Sequence, residues 1–172
     1  TVAGPTATDA YFNRDAATHA AKIREVLPDG STRIVHRMGD VGYFDSEGRL
    51  WFCGRKTQRV VTADDTLCTE QVEPVFNTHR EVRRTALVGI GDFGSQRPVL
   101  CVELRKGVAA AAWPRIEDEL RHIGEGFVHT AKVECFLRYP KAFPVDIRHN
   151  AKIGREKLAA WAAKVVRRVP PG

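Results

Sequence analysis

From residue 59 onward, short apolar runs alternate with segments whose apolar residues recur every three or four positions, and that alternation limits the fold more than any other feature. Residues 59–62, 85–90, 99–104 and 132–138 read as strands. A helix is expected over 70–79, with Thr69 as its cap and Val72, Val75 and Phe76 on one face. Trp113-Pro114 opens a second helix with Ile116, Leu120 and Ile123 inward, because proline suits a first helical turn. A third helix ends the chain with Leu158, Trp161 and Val165 inward. A few strands covered by helices make an α+β domain. Residues 1–33 look irregular, with one helix over 15–24 and a turn at Leu27-Pro28-Asp29-Gly30. Residues 41–44 and 50–53 alternate as two strands of a hairpin joined by Asp45-Ser46-Glu47-Gly48. The two patterns meet at residues 55–58.

Size and charge narrow the possibilities. A chain of 172 residues, 43% hydrophobic, supports one domain, or a small domain plus a piece of another. No apolar run approaches the ~20 residues that span a bilayer, and residues 1–22 lack the pattern of a signal peptide, so a soluble cytoplasmic protein is expected. Residues 57–172 carry 19 Lys and Arg against 14 Asp and Glu, most densely at the end. A solvated basic face explains this. Nucleic-acid binding is not expected, since no aromatic residues alternate with the basic ones and no reader motif occurs. Cys53, Cys68, Cys101 and Cys135 form no CxxC pair and have no histidine at ligand spacing; buried reduced thiols are expected, with no metal site in this chain. Gly89-Ile90-Gly91-Asp92-Phe93-Gly94 matches GxGxxG, but a strand follows it rather than the helix that dinucleotide binding needs.

Three ordered segments carry a family resemblance. The first is Arg37-Met38-Gly39-Asp40, then Val41-Gly42-Tyr43-Phe44-Asp45 and Gly48-Arg49-Leu50-Trp51-Phe52. The second is Gly54-Arg55-Lys56, with Glu73 closing the stretch. The third is Asn150-Ala151-Lys152-Ile153-Gly154-Arg155-Glu156-Lys157-Leu158. Tyr11-Phe12-Asn13-Arg14 resembles the stretch that precedes them. Together they resemble the late motifs of the adenylate-forming superfamily, which holds acyl-CoA synthetases, luciferase and peptide-synthetase adenylation domains.

The resemblance implies a large amino-terminal domain and a small mobile carboxy-terminal one. Residues 1–56 would be the β-rich tail of the first and 57–172 the whole of the second, with the hinge at Thr57. It implies that Lys152 is the catalytic lysine, that Asp40 grips the ribose hydroxyls of ATP, and that Arg55 also contacts the ribose. The chemistry agrees. Adenylation joins two anions, a carboxylate and the ATP α-phosphate, and an ammonium between them stabilises the transition state. A carboxylate accepts hydrogen bonds from two adjacent hydroxyls at once. Arg155 is expected to anchor the loop that carries Lys152, and neither His36 nor His149 is given a catalytic role. ATP and magnesium would be held mainly by the remaining amino-terminal part of the same enzyme, the first partner implied.

Several positions depart from the common pattern. Thr57 is neither Asp nor Lys at the hinge. Asp64 stands where CoA-forming members have a glycine in the hairpin that pantetheine passes, and a negative side chain would crowd and repel that arm. Ala151 replaces a glycine, and the approach to Lys152 over residues 144–149 is longer than usual. These departures resemble the lactone-forming branch found in bacterial long-chain olefin biosynthesis. That branch implies a long-chain 2-alkyl-3-hydroxy acid as substrate, activated as its adenylate and closed by its own hydroxyl, with CoA not required and other olefin-pathway enzymes as further partners. Competing readings are a long-chain fatty acyl-CoA ligase, a module that loads a carrier protein, and a non-catalytic basic interaction domain.

Overall fold

Three strands, the middle one buried from Val99 to Glu103, form the centre of the larger of two compact units. The computed structural model describes residues 1–146 and 152–168. The chain divides into a unit of residues 1–41 and one of residues 42–172. A compact unit belongs to one conformation, whereas a hinge such as that expected at Thr57 relates two.

In the smaller unit, β1 (Val2–Ala3) and β2 (Lys22–Val26) flank β3 (Thr32–His36), both antiparallel to it. Helix α1 is Asp15–Ala21, so the helix expected over 15–24 stops early and its last residues open β2. The expected turn at residues 27–30 joins β2 to β3: Gly30 has φ +83° and donates to the Leu27 carbonyl at 2.9 Å. Strand β4 (Asp40–Phe44) crosses the division and pairs with β5 (Leu50–Arg55), as the hairpin pattern predicts. Asp45 holds that turn, accepting from the Arg49 and Glu47 amides and from the side chains of Arg49 and Trp51.

In the larger unit, β6 (Val60–Val61) and β7 (Thr66–Leu67) make a short hairpin. Helix α2 (Thr69–Phe76) follows, then β8 (Val82–Ile90), β9 (Arg97–Leu104), α3 (Trp113–Glu125), β10 (Cys135–Arg138), β11 (Val145–Asp146), β12 (Lys152–Ile153) and α4 (Arg155–Arg168). The central sheet runs β10-β9-β8, with β8 antiparallel and β10 parallel to β9. Because β9 is covered on both faces, Val99 to Glu103 are all buried, the signature of a strand between two helical layers. On one face Leu87, Leu100, Val102 and Phe136 pack with Val72 and Phe76 of α2 and Ile116 and Leu120 of α3. On the other, Ala86, Val88, Val99 and Cys101 pack with Phe143 and with Leu158 and Ala162 of α4. The α+β expectation holds.

Two local expectations fail. Thr69 does not cap α2: it is the first helical residue, Cys68 precedes it with no side-chain cap, and the buried Thr69 hydroxyl has no hydrogen-bond partner among the described residues. The helix also ends at Phe76 rather than 79. Asn77, which follows it, spends its side-chain oxygen on the Thr85 amide and hydroxyl, fixing the exit toward β8. In the glycine-rich 89–94 segment Gly89 and Ile90 still end β8, and the turn to β9 begins at Gly91, with a strand and no helix after it. All four cysteines are free, three of them buried. Burial pushes the Cys101 thiol up to about 12.

Candidate functional site

Lys152 begins β12, directly opposite Asp146 of β11, and both side chains are exposed. The hairpin is tied at its stem, where the Gly154 amide donates to the Pro144 carbonyl at 2.7 Å. A Cβ on Gly154 would meet that carbonyl oxygen at 3.2 Å, so a side chain there would press on the stem. Residues 147–151, with the Ala151 replacement and most of the long approach, lie outside the described residues.

Arg155, the first residue of α4, makes the anchoring contact expected of it. Its guanidinium forks onto Glu73 of α2, with Nη2–Oε2 at 2.9 Å, and also donates to the Leu87 carbonyl at 3.3 Å. Glu73 accepts the Leu87 amide at 2.7 Å as well. Burial pushes the Glu73 carboxyl up, while Arg155 pulls it down. The pair binds α2, β8 and the start of α4 into one block directly after Lys152.

On the other side of the hairpin stands a residue that the sequence reading did not single out. Glu103 of β9 is 2% exposed. It accepts Arg84 Nε at 2.7 Å, Arg83 Nη1 at 2.8 Å and the Phe143 amide at 2.8 Å. Burial works to raise its pKa, but the Phe143 amide and the two arginines outweigh it and hold Glu103 below the ordinary value. A carboxylate inside the apolar run Val99-Leu100-Cys101-Val102-Glu103-Leu104 was the available signal.

Lys152 lies on the rim of an open groove of about 810 Å³ that is also lined by Thr57, Gln58, Arg59, Gln96, Asp146 and Lys157. The proposed hinge residue and the proposed catalytic lysine thus share one surface. Thr57 is exposed in a single helical turn, Lys56–Gln58, that continues from β5. Gln96 fastens the next strand: its side-chain oxygen accepts the Val61 amide and its own amide donates to the Val61 carbonyl, each at 3.0 Å. Arg55, exposed at the end of β5, and Asp64 do not line the groove. Asp40 is exposed and belongs to the smaller unit.

Asp64 is exposed in the turn between β6 and β7, where the Thr62 hydroxyl accepts the Asp64 and Asp65 amides at 3.3 and 2.9 Å. Its φ is not positive. The turn therefore does not need glycine for its backbone, and the side chain projects without strain. Its neighbour Asp65 pairs with Lys132 at 2.9 Å, which lowers the Asp65 pKa.

His79, Glu81 and Glu119 bring ligand atoms within 4.8 Å of one another. Arg115 spans the two carboxylates at 2.6 and 2.9 Å. The Glu81 amide donates to His79 Nδ1 at 3.2 Å, which leaves Nε2 to donate to Glu119 at 2.7 Å. A guanidinium already balances the acids and the imidazole is engaged on both nitrogens, so the group reads as an ion-pair network pinning α3. Among the described residues no helix is long and apolar enough to cross a membrane.

No family model matches the chain. It is 70% identical over 164 residues to an olefin beta-lactone synthetase of Xanthomonas campestris pv. campestris, a match covering 95% of this chain and 29% of that protein. It is 31% identical over 140 residues to a 2-succinylbenzoate–CoA ligase of Bacillus cereus, covering 79% of this chain and 26% of the relative. The chain thus spans under a third of the length of these relatives. In fold it matches the O-succinylbenzoate coenzyme A synthetase of Bacillus subtilis solved with AMP, at TM-score 0.65 and 24% identity, over 90% of this chain and 28% of that one.

Proposed function

This chain belongs to the adenylate-forming enzymes as a carboxy-terminal part of one, and from that premise we propose that it supplies the catalytic lysine of a β-lactone synthetase. The reading is carried by the 70% identity over nearly the whole chain to an olefin beta-lactone synthetase. The activity belongs to the complete enzyme. A long-chain 2-alkyl-3-hydroxy acid attacks the α-phosphorus of ATP through its carboxylate, and pyrophosphate leaves. The 3-hydroxyl of the same molecule then attacks the acyl carbon, loses its proton and expels AMP. The second step is intramolecular, so proximity replaces an external nucleophile.

In this reading the Lys152 ammonium sits between carboxylate and phosphate as charge develops, and the exposure of Lys152 on a hairpin supports its reaching into a site on the larger domain. Asp40 and Arg55 hold the ribose, and Thr57 is the point about which residues 57–172 rotate between the two half-reactions. Magnesium is held with the ATP phosphates by the rest of the enzyme. CoA has no part in this reading, which is supported by an exposed Asp64 standing where CoA-forming members are expected to carry glycine.

The second reading is an acyl-CoA ligase, favoured by the 31% identity to a CoA ligase. The test supplies the complete enzyme with ATP, magnesium and the hydroxy acid, without CoA. A β-lactone, AMP and pyrophosphate should form at a rate that added CoA does not raise, and Asp64→Gly should leave the product unchanged. AMP release that requires CoA, with a thioester accumulating, would establish the ligase instead.

A further inference from the structure

The segment that carries Lys152 is held from both sides by buried carboxylates. After the lysine, Glu73 grips Arg155. Before it, Glu103 grips the backbone of Phe143. Resting on the assignment of Lys152 above, we propose that Glu103, held by Arg83 and Arg84, is a positioning residue for Lys152, fixing through the Phe143 amide the register of the hairpin that presents the ammonium.

The path is short and backbone-borne. Glu103 Oε2 accepts the Phe143 amide at 2.8 Å. One residue on, the Pro144 carbonyl accepts the Gly154 amide at 2.7 Å. Val145 then pairs with Ile153, and Asp146 with Lys152. The Phe143 ring cannot slide, since it is 3% exposed, lies under the Arg84 guanidinium at 5.4 Å and meets Tyr139 edge-on at 5.6 Å. Arg84 thus touches both ends of the tie: its Nε holds Glu103 and its plane covers Phe143.

Stability alone does not call for this arrangement. Glu103 follows four apolar residues of β9 on a sheet covered by helices, where an apolar residue would satisfy the core pattern. Replacing a buried charge network by apolar residues is commonly neutral or stabilising. What an apolar residue cannot do is accept the Phe143 amide. A one-residue slip of a β hairpin turns each side chain to the other face. Here that slip would carry Lys152 away from its side of the hairpin, so a directional tie at the stem acts on the position of the ammonium.

The test is a double-mutant cycle in the complete enzyme, read by ATP–pyrophosphate exchange with the hydroxy acid. Glu103→Leu should lower the exchange rate on the order of 10- to 10²-fold, the scale of a small misplacement of a catalytic group, with the apparent KM for ATP unchanged. In a Lys152→Ala background the same substitution should have no further effect, because the group it positions is gone. Closure of supplied acyl adenylate to lactone should be unaffected, and hydrogen exchange should quicken in the peptide covering residues 141–158. Glu103→Gln keeps an acceptor, should retain most of the exchange rate, and carries the same cycle if the leucine variant does not fold. Equal losses in both backgrounds, or full activity in Glu103→Leu while Lys152→Ala is inactive, would overturn the inference. An active Lys152→Ala enzyme would remove the assignment of Lys152 itself, and this inference with it.

Discussion

Removing Arg155 isolates the energetics of the anchor behind Lys152. Its side chain is 16% exposed and that of its partner Glu73 is 11% exposed, so solvent screens the pair little. In Arg155→Ala, Glu73 keeps the Leu87 amide but loses the one cationic partner it has among the described residues, and a carboxylate remains buried against a neutral amide. Breaking such a pair from one side costs about 3–5 kcal/mol. With roughly 3 °C of melting temperature per kcal/mol for a unit of this size, the midpoint should fall about 10–15 °C. The loss depends on pH with a definite sign. Burial raises the folded-state pKa of Glu73, and removing Arg155 takes away the cation that opposes that rise. A raised carboxyl lets the folded state keep its proton, so the penalty is absent below the unfolded pKa and grows as pH rises toward the folded one. Urea unfolding of this chain at pH 7 and pH 4.5 measures it, and the gap between wild type and variant should be wider at pH 7. Adding Glu73→Leu should recover much of the loss. A variant within about 1 kcal/mol of wild type at pH 7, or a gap that widens on acidification, would refute the reasoning.

Two further predictions concern the chain alone. Gly54 has φ +108° and a Cβ there would lie 2.6 Å from the Thr69 hydroxyl, so Gly54→Ala should cost on the order of 2 kcal/mol in urea unfolding; an unchanged midpoint would show that the β5–α2 approach relaxes freely. Cys101, fully buried with its thiol pushed up to about 12, should be inert to a thiol-reactive disulfide at pH 8 until the protein unfolds; fast labelling of native protein at Cys101 would contradict its packing.

The larger unit was legible wherever periodicity reports burial. The runs at 85–90 and 99–104 announced β8 and β9 because both faces of the sheet are covered, and Ile116, Leu120 and Leu158 fall where helical spacing puts them. The β2–β3 hairpin was not seen. Most of its residues are exposed, so its sequence has little alternation, and the alanine-rich stretch before it reads as helix. Thr69 looked like a cap because caps are recognised by residue type, whereas its hydroxyl is packed against Gly54. Lys152 and Arg155 were legible as a motif. Glu103 was not, because its meaning depends on Phe143, which lies 40 residues away in the chain and arrives only when the sheet is built.

The central claim is that Lys152 stabilises the charge of adenylation. In the complete enzyme, ATP–pyrophosphate exchange driven by the hydroxy acid measures that step alone. Lys152→Ala should fold as wild type and lose on the order of 10²–10³ in exchange rate, the effect of removing one stabiliser of developing charge. Exchange within a few-fold of wild type would contradict it.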